Sequence, residues 1–189
     1  PISTSASSNS VTITGSQVEG VYGGYMQYYG DTSAEADAVA GVNHNTVTLT
    51  NSTAQSSYIY GGYMQYYGDT SAEADAVAGV NHNTVTLTNT SASGTSVYGG
   101  YVLSSGSAPA LNASSNTVEI SNTAEKEYGV STVTGGYTGY GDANDNTVKI
   151  TGTKVTDDDE IYLTSVSSDI TGGETESGNA DGNTVTLDT

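Results

Sequence analysis

The chain has 189 residues, enough for one ordinary domain or one short solenoid, and sets 21 acids against Lys126, Lys149 and Lys154, for a formal charge of −18. Binding nucleic acid needs clustered Lys or Arg, so composition speaks against a nucleic-acid partner and, on the same ground, against an anionic membrane surface. Cys is absent, which removes disulfide and thiol chemistry, and no apolar run approaches the roughly 18 residues of a membrane-spanning helix.

Residues 1–10 have neither a basic start nor an apolar stretch, and read as a processed or excised segment rather than a signal peptide. Ser, Thr, Gly and Asn are abundant. Even so, Val, Ile and Thr fall in regular five-residue blocks and there are 15 Tyr, a pattern that disordered chains lack.

The first such block is Asn9-Ser10-Val11-Thr12-Ile13. Its pattern, Asn, then Ser or Thr, then Val, then any residue, then Ile or Leu, returns at Asn45, Asn83, Asn116, Asn146 and Asn183, with steps of 36, 38, 33, 30 and 37 residues. Residues 22–51 recur letter for letter at 60–89. A fixed period of this size marks a repeat architecture. Each block alternates with period two, the mark of a half-buried strand. Val47 and Leu49 should face inward with Thr46, Thr48 and Thr50 outward, and the same inward pair recurs as Val11/Ile13, Val85/Leu87, Val118/Ile120, Val148/Ile150 and Val185/Leu187. Stacked at the usual strand spacing, these pairs make an aliphatic column that no single unit can bury alone. Parity also places the leading Asn inside, where Asn9, Asn45, Asn83, Asn116, Asn146 and Asn183 should form a structural amide ladder. His44 and His82 precede that ladder at equivalent positions. Two His are too few for a metal site, and a solvated turn is the reading for them.

The second strand begins at Val21-Tyr22-Gly23-Gly24-Tyr25 and returns at 59–63, 97–101 and 133–137, with a degenerate Gly172-Gly173-Glu174. Its first apolar residue should point inward, and its glycines mark a corner or bulge where a side chain would collide with the next coil. Tyr25, Tyr63, Tyr101 and Tyr137 should then form a column, either a packing ladder or a stripe for glycan binding or self-association. Between each Gly-Gly-Tyr and the next Asn the length varies, from 22 residues (Gly23 to Asn45) to 11 (Gly135 to Asn146). In the long version, 34–40 alternate Ala with Glu35, Asp37 and Val39, as a third strand or a loop on one side of the solenoid. The opposite arm lengthens once, at 156–170, where Asp157, Asp158, Asp159 and Glu160 form an acidic run expected to be solvated and mobile.

No apolar stripe of helical period survives the Gly and Thr content, and two or three strands per repeat are thin for a propeller blade. The expected fold is all-β, a right-handed parallel β-helix of about one coil per repeat, running as a single solenoid over 1–189.

The two motifs together, from Asn9 to Leu187, resemble the repeat of secreted passenger regions in bacterial autotransporter adhesins and related surface proteins. The resemblance implies display outside the outer membrane and a role in adhesion, or as a rigid spacer that holds a binding tip away from the cell. It also implies partners among host or neighbouring-cell surface proteins and glycans. The sequence then reads as a segment of a longer surface protein, without a cofactor or a catalytic set. It contains no Arg, so an Arg-Gly-Asp motif is impossible.

Other readings stand beside this one. The chain starts just before one strand block and stops inside another, so copies stacked end to end as a homo-oligomer or filament are an alternative. A glycan-active enzyme would draw on carboxylate pairs such as Asp142/Asp145 or Glu174/Glu176, yet catalysis wants one convergent cleft rather than a repeated surface. Outward Thr12/Thr14, Thr48/Thr50 and Thr86/Thr88 raise ice binding, but the array breaks at Glu119 and Lys149, and β-propensity alone supplies outward Thr. Asp142, Asn144 and Asp145 could offer oxygens to calcium, though the surrounding motif is imperfect and does not recur in tandem. Sequons at Asn51, Asn89 and Asn112 arise easily in a chain so rich in Ser and Thr.

Overall fold

The computed structural model of the chain describes residues 4–29, 40–67, 79–104, 110–121, 130–152, 155–157, 160–162 and 166–188. They form two parallel sheets wound as one solenoid. Ser10–Thr14, Thr46–Thr50, Thr84–Thr88, Thr117–Ser121, Thr147–Thr151 and Thr184–Asp188 stack in chain order as a six-stranded sheet. Gln17–Tyr28, Thr53–Tyr66, Ser96–Ser104, Val133–Tyr140 and Ile170–Ser177 stack likewise as a five-stranded sheet. The chain alternates between the sheets, so each repeat is one coil. This is the parallel β-solenoid that the repeat spacing predicts. The third side is thinner: Thr4–Ser5 pairs in parallel with Ala40–Gly41, and Gly79 bridges both Gly41 and Asn112.

Register follows the repeat residue by residue. Val11, Val47, Val85, Val118, Val148 and Val185 are partners in sequence, as are Ile13, Leu49, Leu87, Ile120, Ile150 and Leu187. From Val47 to Ile150 these side chains are buried, while the Thr between them lie half exposed. Val185 and Leu187, on the last described strand, are 44% and 59% exposed, because no described coil covers them.

The long strands bend at their paired glycines. Along Gln17–Tyr28, Val21 faces in and Tyr22 out; then Gly23 and Gly24 are both buried, and Tyr25 is again out with Met26 in. The alternation slips by one residue at the pair, without any shift in register between coils there. The bend divides the interior in two. One column holds Val21, Val47, Leu49, Ala54, Ile59 and their relatives; the other holds Met26, Val42, Met64, Val80, Val102, Leu111 and Ala113.

The expected third strand at 34–40 lies outside the described residues except for Ala40. In the acidic arm, Val155–Asp157 pairs antiparallel with Glu160–Tyr162, so Asp157 and Glu160 belong to a small hairpin, and Asp158 and Asp159 lie outside the described residues.

Candidate functional site

Between the two apolar columns runs the amide ladder. The Nδ2 of Asn9, Asn45, Asn83, Asn116 and Asn146 donates to the Oδ1 of the next Asn in the series at 2.9, 2.9, 3.0, 3.1 and 3.1 Å, ending on Asn183. Each Oδ1 also accepts the backbone N–H of the preceding Asn, at 2.9–3.0 Å. The second Nδ2 proton of Asn45, Asn83 and Asn116 goes to the carbonyl of Ala6, Val42 or Val80. Asn45, Asn83 and Asn116 thus use both donors and both acceptor lone pairs, and all three are fully buried. A polar row can sit in an apolar interior only when it is satisfied in this way.

A second ladder, two residues upstream, is missing from the sequence reading. The side-chain oxygens of Ser7, Asn43, Asn81, Ser114 and Asn144 each accept the backbone N–H of the equivalent residue one coil on, ending at Asp181, over 2.7–3.1 Å. Its signal was present as an Asn, Ser or Asp at that position in every coil. The same economy engages oxygens that the sequence offers to calcium. Asn144 Oδ1 accepts Asp181 N–H and Asp142 Oδ1 accepts Asn179 N–H, so two of the proposed oxygens already hold turns together. Among the described residues, no group of three or more His, Cys, Asp or Glu is arranged to hold a metal ion.

Between the two ladders, Ser8, His44, His82, Ser115, Asp145 and Gly182 all have φ between 56° and 66°. His44 and His82 are exposed on this left-handed turn and stack at 4.9 Å. At the far end of the short strands, sequon residues Asn51 and Asn89 take a similar conformation, and Asn89 Nδ2 donates to Asn51 Oδ1 at 3.1 Å.

Outside, the five-stranded sheet carries the aromatic surface. Tyr25, Tyr63, Tyr101 and Tyr137 stack in turn, with centroids 5.5, 5.5 and 4.7 Å apart and planes within 18°. The sequence reading identified this row but not its companion. Tyr22, Tyr60 and Tyr98 stack at 5.2 and 5.3 Å beside it, and the rows meet across the glycine bend, with Tyr98 and Tyr101 edge to face at 4.9 Å. Period-two alternation would send residues three apart to opposite faces; the parity slip at the glycines returns both Tyr to one face. The signal lay in the motif itself, a Tyr on either side of Gly-Gly. Tyr29/Tyr67 stack at 5.2 Å in the first two coils, and Tyr28/Tyr66 stack at 5.1 Å with Tyr66 packed against the inner column of Met26 and Met64. Gln65 links two neighbours of the first row: it accepts from Tyr25 Oη and Gln27 Nε2, and donates to Tyr63 Oη at 2.7 Å.

The stripe changes character along the solenoid. In the column order Tyr25, Tyr63, Tyr101, Tyr137, the next register partner is Glu174. Tyr137 Oη donates to Glu176 Oε1 at 3.1 Å. Burial, then the Glu176 hydrogen bond and the nearby charges, push the Tyr137 phenol up to about 12. Burial first, with neighbouring phenols next, also raises Tyr60 and Tyr101, and burial raises Tyr98. The surface is therefore half apolar and half hydrogen-bonding, and it becomes acidic at one end. Such a surface offers ring faces and hydroxyls as contact groups.

Fold and stripe together define a parallel β-solenoid with a laddered interior and an external tyrosine face. Comparison with known proteins finds no family model that matches the chain, and no match among curated proteins or solved structures.

Proposed function

We propose that the chain is a non-catalytic segment of an extracellular bacterial surface protein, working as an adhesin or as a rigid spacer. The observation that carries this reading is the unbroken Asn ladder, hydrogen-bonded from Asn9 to Asn183, which couples every coil to the next and gives a stiff rod. Around it the fold repeats one outward face coil after coil, an arrangement that supplies length and multiple contacts. The resemblance of its repeats to autotransporter passenger regions supports the location, and the partners would be proteins or glycans of host or neighbouring cells. The test is attachment of the isolated 189-residue chain to cells and matrix: saturable attachment supports the adhesin, and none leaves the spacer.

A second reading is end-to-end stacking of copies into a filament. Parallel pairing of each coil with the next supports it, since the same pairing can join one copy to another. Sedimentation that stays monomeric at high concentration would remove it.

A further inference from the structure

We infer that the acidic end of the tyrosine stripe, formed by Tyr137, Glu174 and Glu176, docks arginine side chains of an extended partner polypeptide. This deepens, and rests on, the reading of the chain as a contact surface, by naming the chemistry of its partner.

Three features converge on a cation. Tyr137 packs one face on Tyr101 at 4.7 Å, and on its other side the register places Glu174 where earlier coils place a ring. Glu176 lies two residues further on the same face and is already oriented by the Tyr137 hydroxyl. The ring face is negative by its quadrupole, and both carboxylates add to that, so each of the three groups selects positive charge. Anionic ligands are repelled, and a neutral sugar, whose hydroxyls can donate to a carboxylate, brings no charge to balance the two. The field of these acids reaches along the stripe: behind burial and neighbouring phenols, Glu174 and Glu176 help hold the Tyr101 phenol above its ordinary value.

Geometry narrows the cation further. Both glutamates are exposed and, being two residues apart on one strand, are separated by about 7 Å. Alternate side chains of an extended peptide have the same spacing. Arginine fits better than lysine because its planar guanidinium stacks on an aromatic face while its fork engages a carboxylate. The chain's charge of −18 draws such a partner in from a distance.

The experiment titrates the whole chain with a peptide carrying Arg at alternate positions, and with its Lys and Gln counterparts, following tyrosine emission and heat. Saturable binding is expected in the order Arg, Lys, Gln. Substituting E174Q and E176Q together should weaken the Arg peptide about tenfold or more, from up to about fivefold for each exposed pair. Tyr137→Leu should weaken it about threefold. The control E119Q/D188N removes two charges from the outer face of the six-stranded sheet and should change affinity little. Equal weakening by that control would reduce the effect to diffuse attraction and overturn the inference, as would equal binding of the Gln peptide or of a neutral oligosaccharide. Cell attachment is read separately, so its loss sinks the adhesin without touching the peptide result, and the converse holds.

Discussion

A methyl group on the α-carbon of Gly62 would lie 2.7 Å from Asn83 Nδ2. It would meet Val80 Cγ1 at the same distance. The second glycine of the motif is therefore the floor on which the ladder amide rests, and the bend exists where Asn83 needs room. Gly62→Ala should push Asn83 away from Asn116 and lower stability by about 1–3 kcal/mol, the usual cost of overpacking. Chemical denaturation measures it. An unchanged midpoint would mean that the bend, and not the amide, requires glycine.

The ladder itself makes a sharper demand. Asn83→Asp keeps the shape but removes both Nδ2 donations, to Asn116 Oδ1 and the Val42 carbonyl, and places an acceptor against each. The buried carboxylate would face oxygens on both sides. A loss of about 3 kcal/mol or more is expected near neutral pH, with partial recovery in acid as the carboxyl takes a proton and regains a donor. Equal stability of the Asp variant at neutral and acidic pH would contradict this account.

His82 tests whether the stacked imidazoles serve structure or a ligand. Its φ of 57° is the left-handed conformation shared by all six turns, among them Asp145 and Gly182. His82→Gly should leave stability near wild type, whereas His82→Val should cost about 1–2 kcal/mol, because a β-branched residue resists that region. The ranking is read from urea midpoints. If Gly proved as damaging as Val, the imidazole contact with His44, rather than the backbone, would be what the turn uses.

Much of this was legible in the sequence, for reasons that differ by element. Val47 and Leu49 announce an inward face by period two, and the same parity carries Asn45 inside with them. Stacking then follows from repetition alone. Tyr22 was not legible as a surface partner of Tyr25, because alternation separates residues three apart and only the Gly23-Gly24 bend reunites them. The ladder from Ser7 to Asp181 was hidden differently: Ser, Asn and Asp all supply one acceptor oxygen, so the chemistry repeats while the letters vary. The left-handed turn hides the same way behind Ser8, His44, Asp145 and Gly182. The acidic change at Glu174 could be read from the degenerate motif, but its contact with Tyr137 could not, since Glu176 rather than Glu174 takes the hydroxyl.

The phenols give the last prediction, in pH. Burial raises Tyr60, Tyr63, Tyr98, Tyr101 and Tyr137 above the ordinary phenol value of about 10, with Tyr137 reaching about 12. Below about pH 10 folded and unfolded chains both hold these protons, and the contribution to stability is complete. Above it the unfolded chain releases protons that the folded chain retains. The unfolded state then binds fewer protons, and stability falls as pH climbs through the value for Tyr137 and beyond. The denaturation midpoint should decline steadily across that window, and phenolate absorption should rise later in native protein than in denaturant. Tyr137→Phe should make the decline shallower, because it removes one of the raised phenols together with its bond to Glu176. Superimposable phenolate titrations in native and denatured protein would show that the stripe is open to water, and with it the packed herringbone of rings would fall.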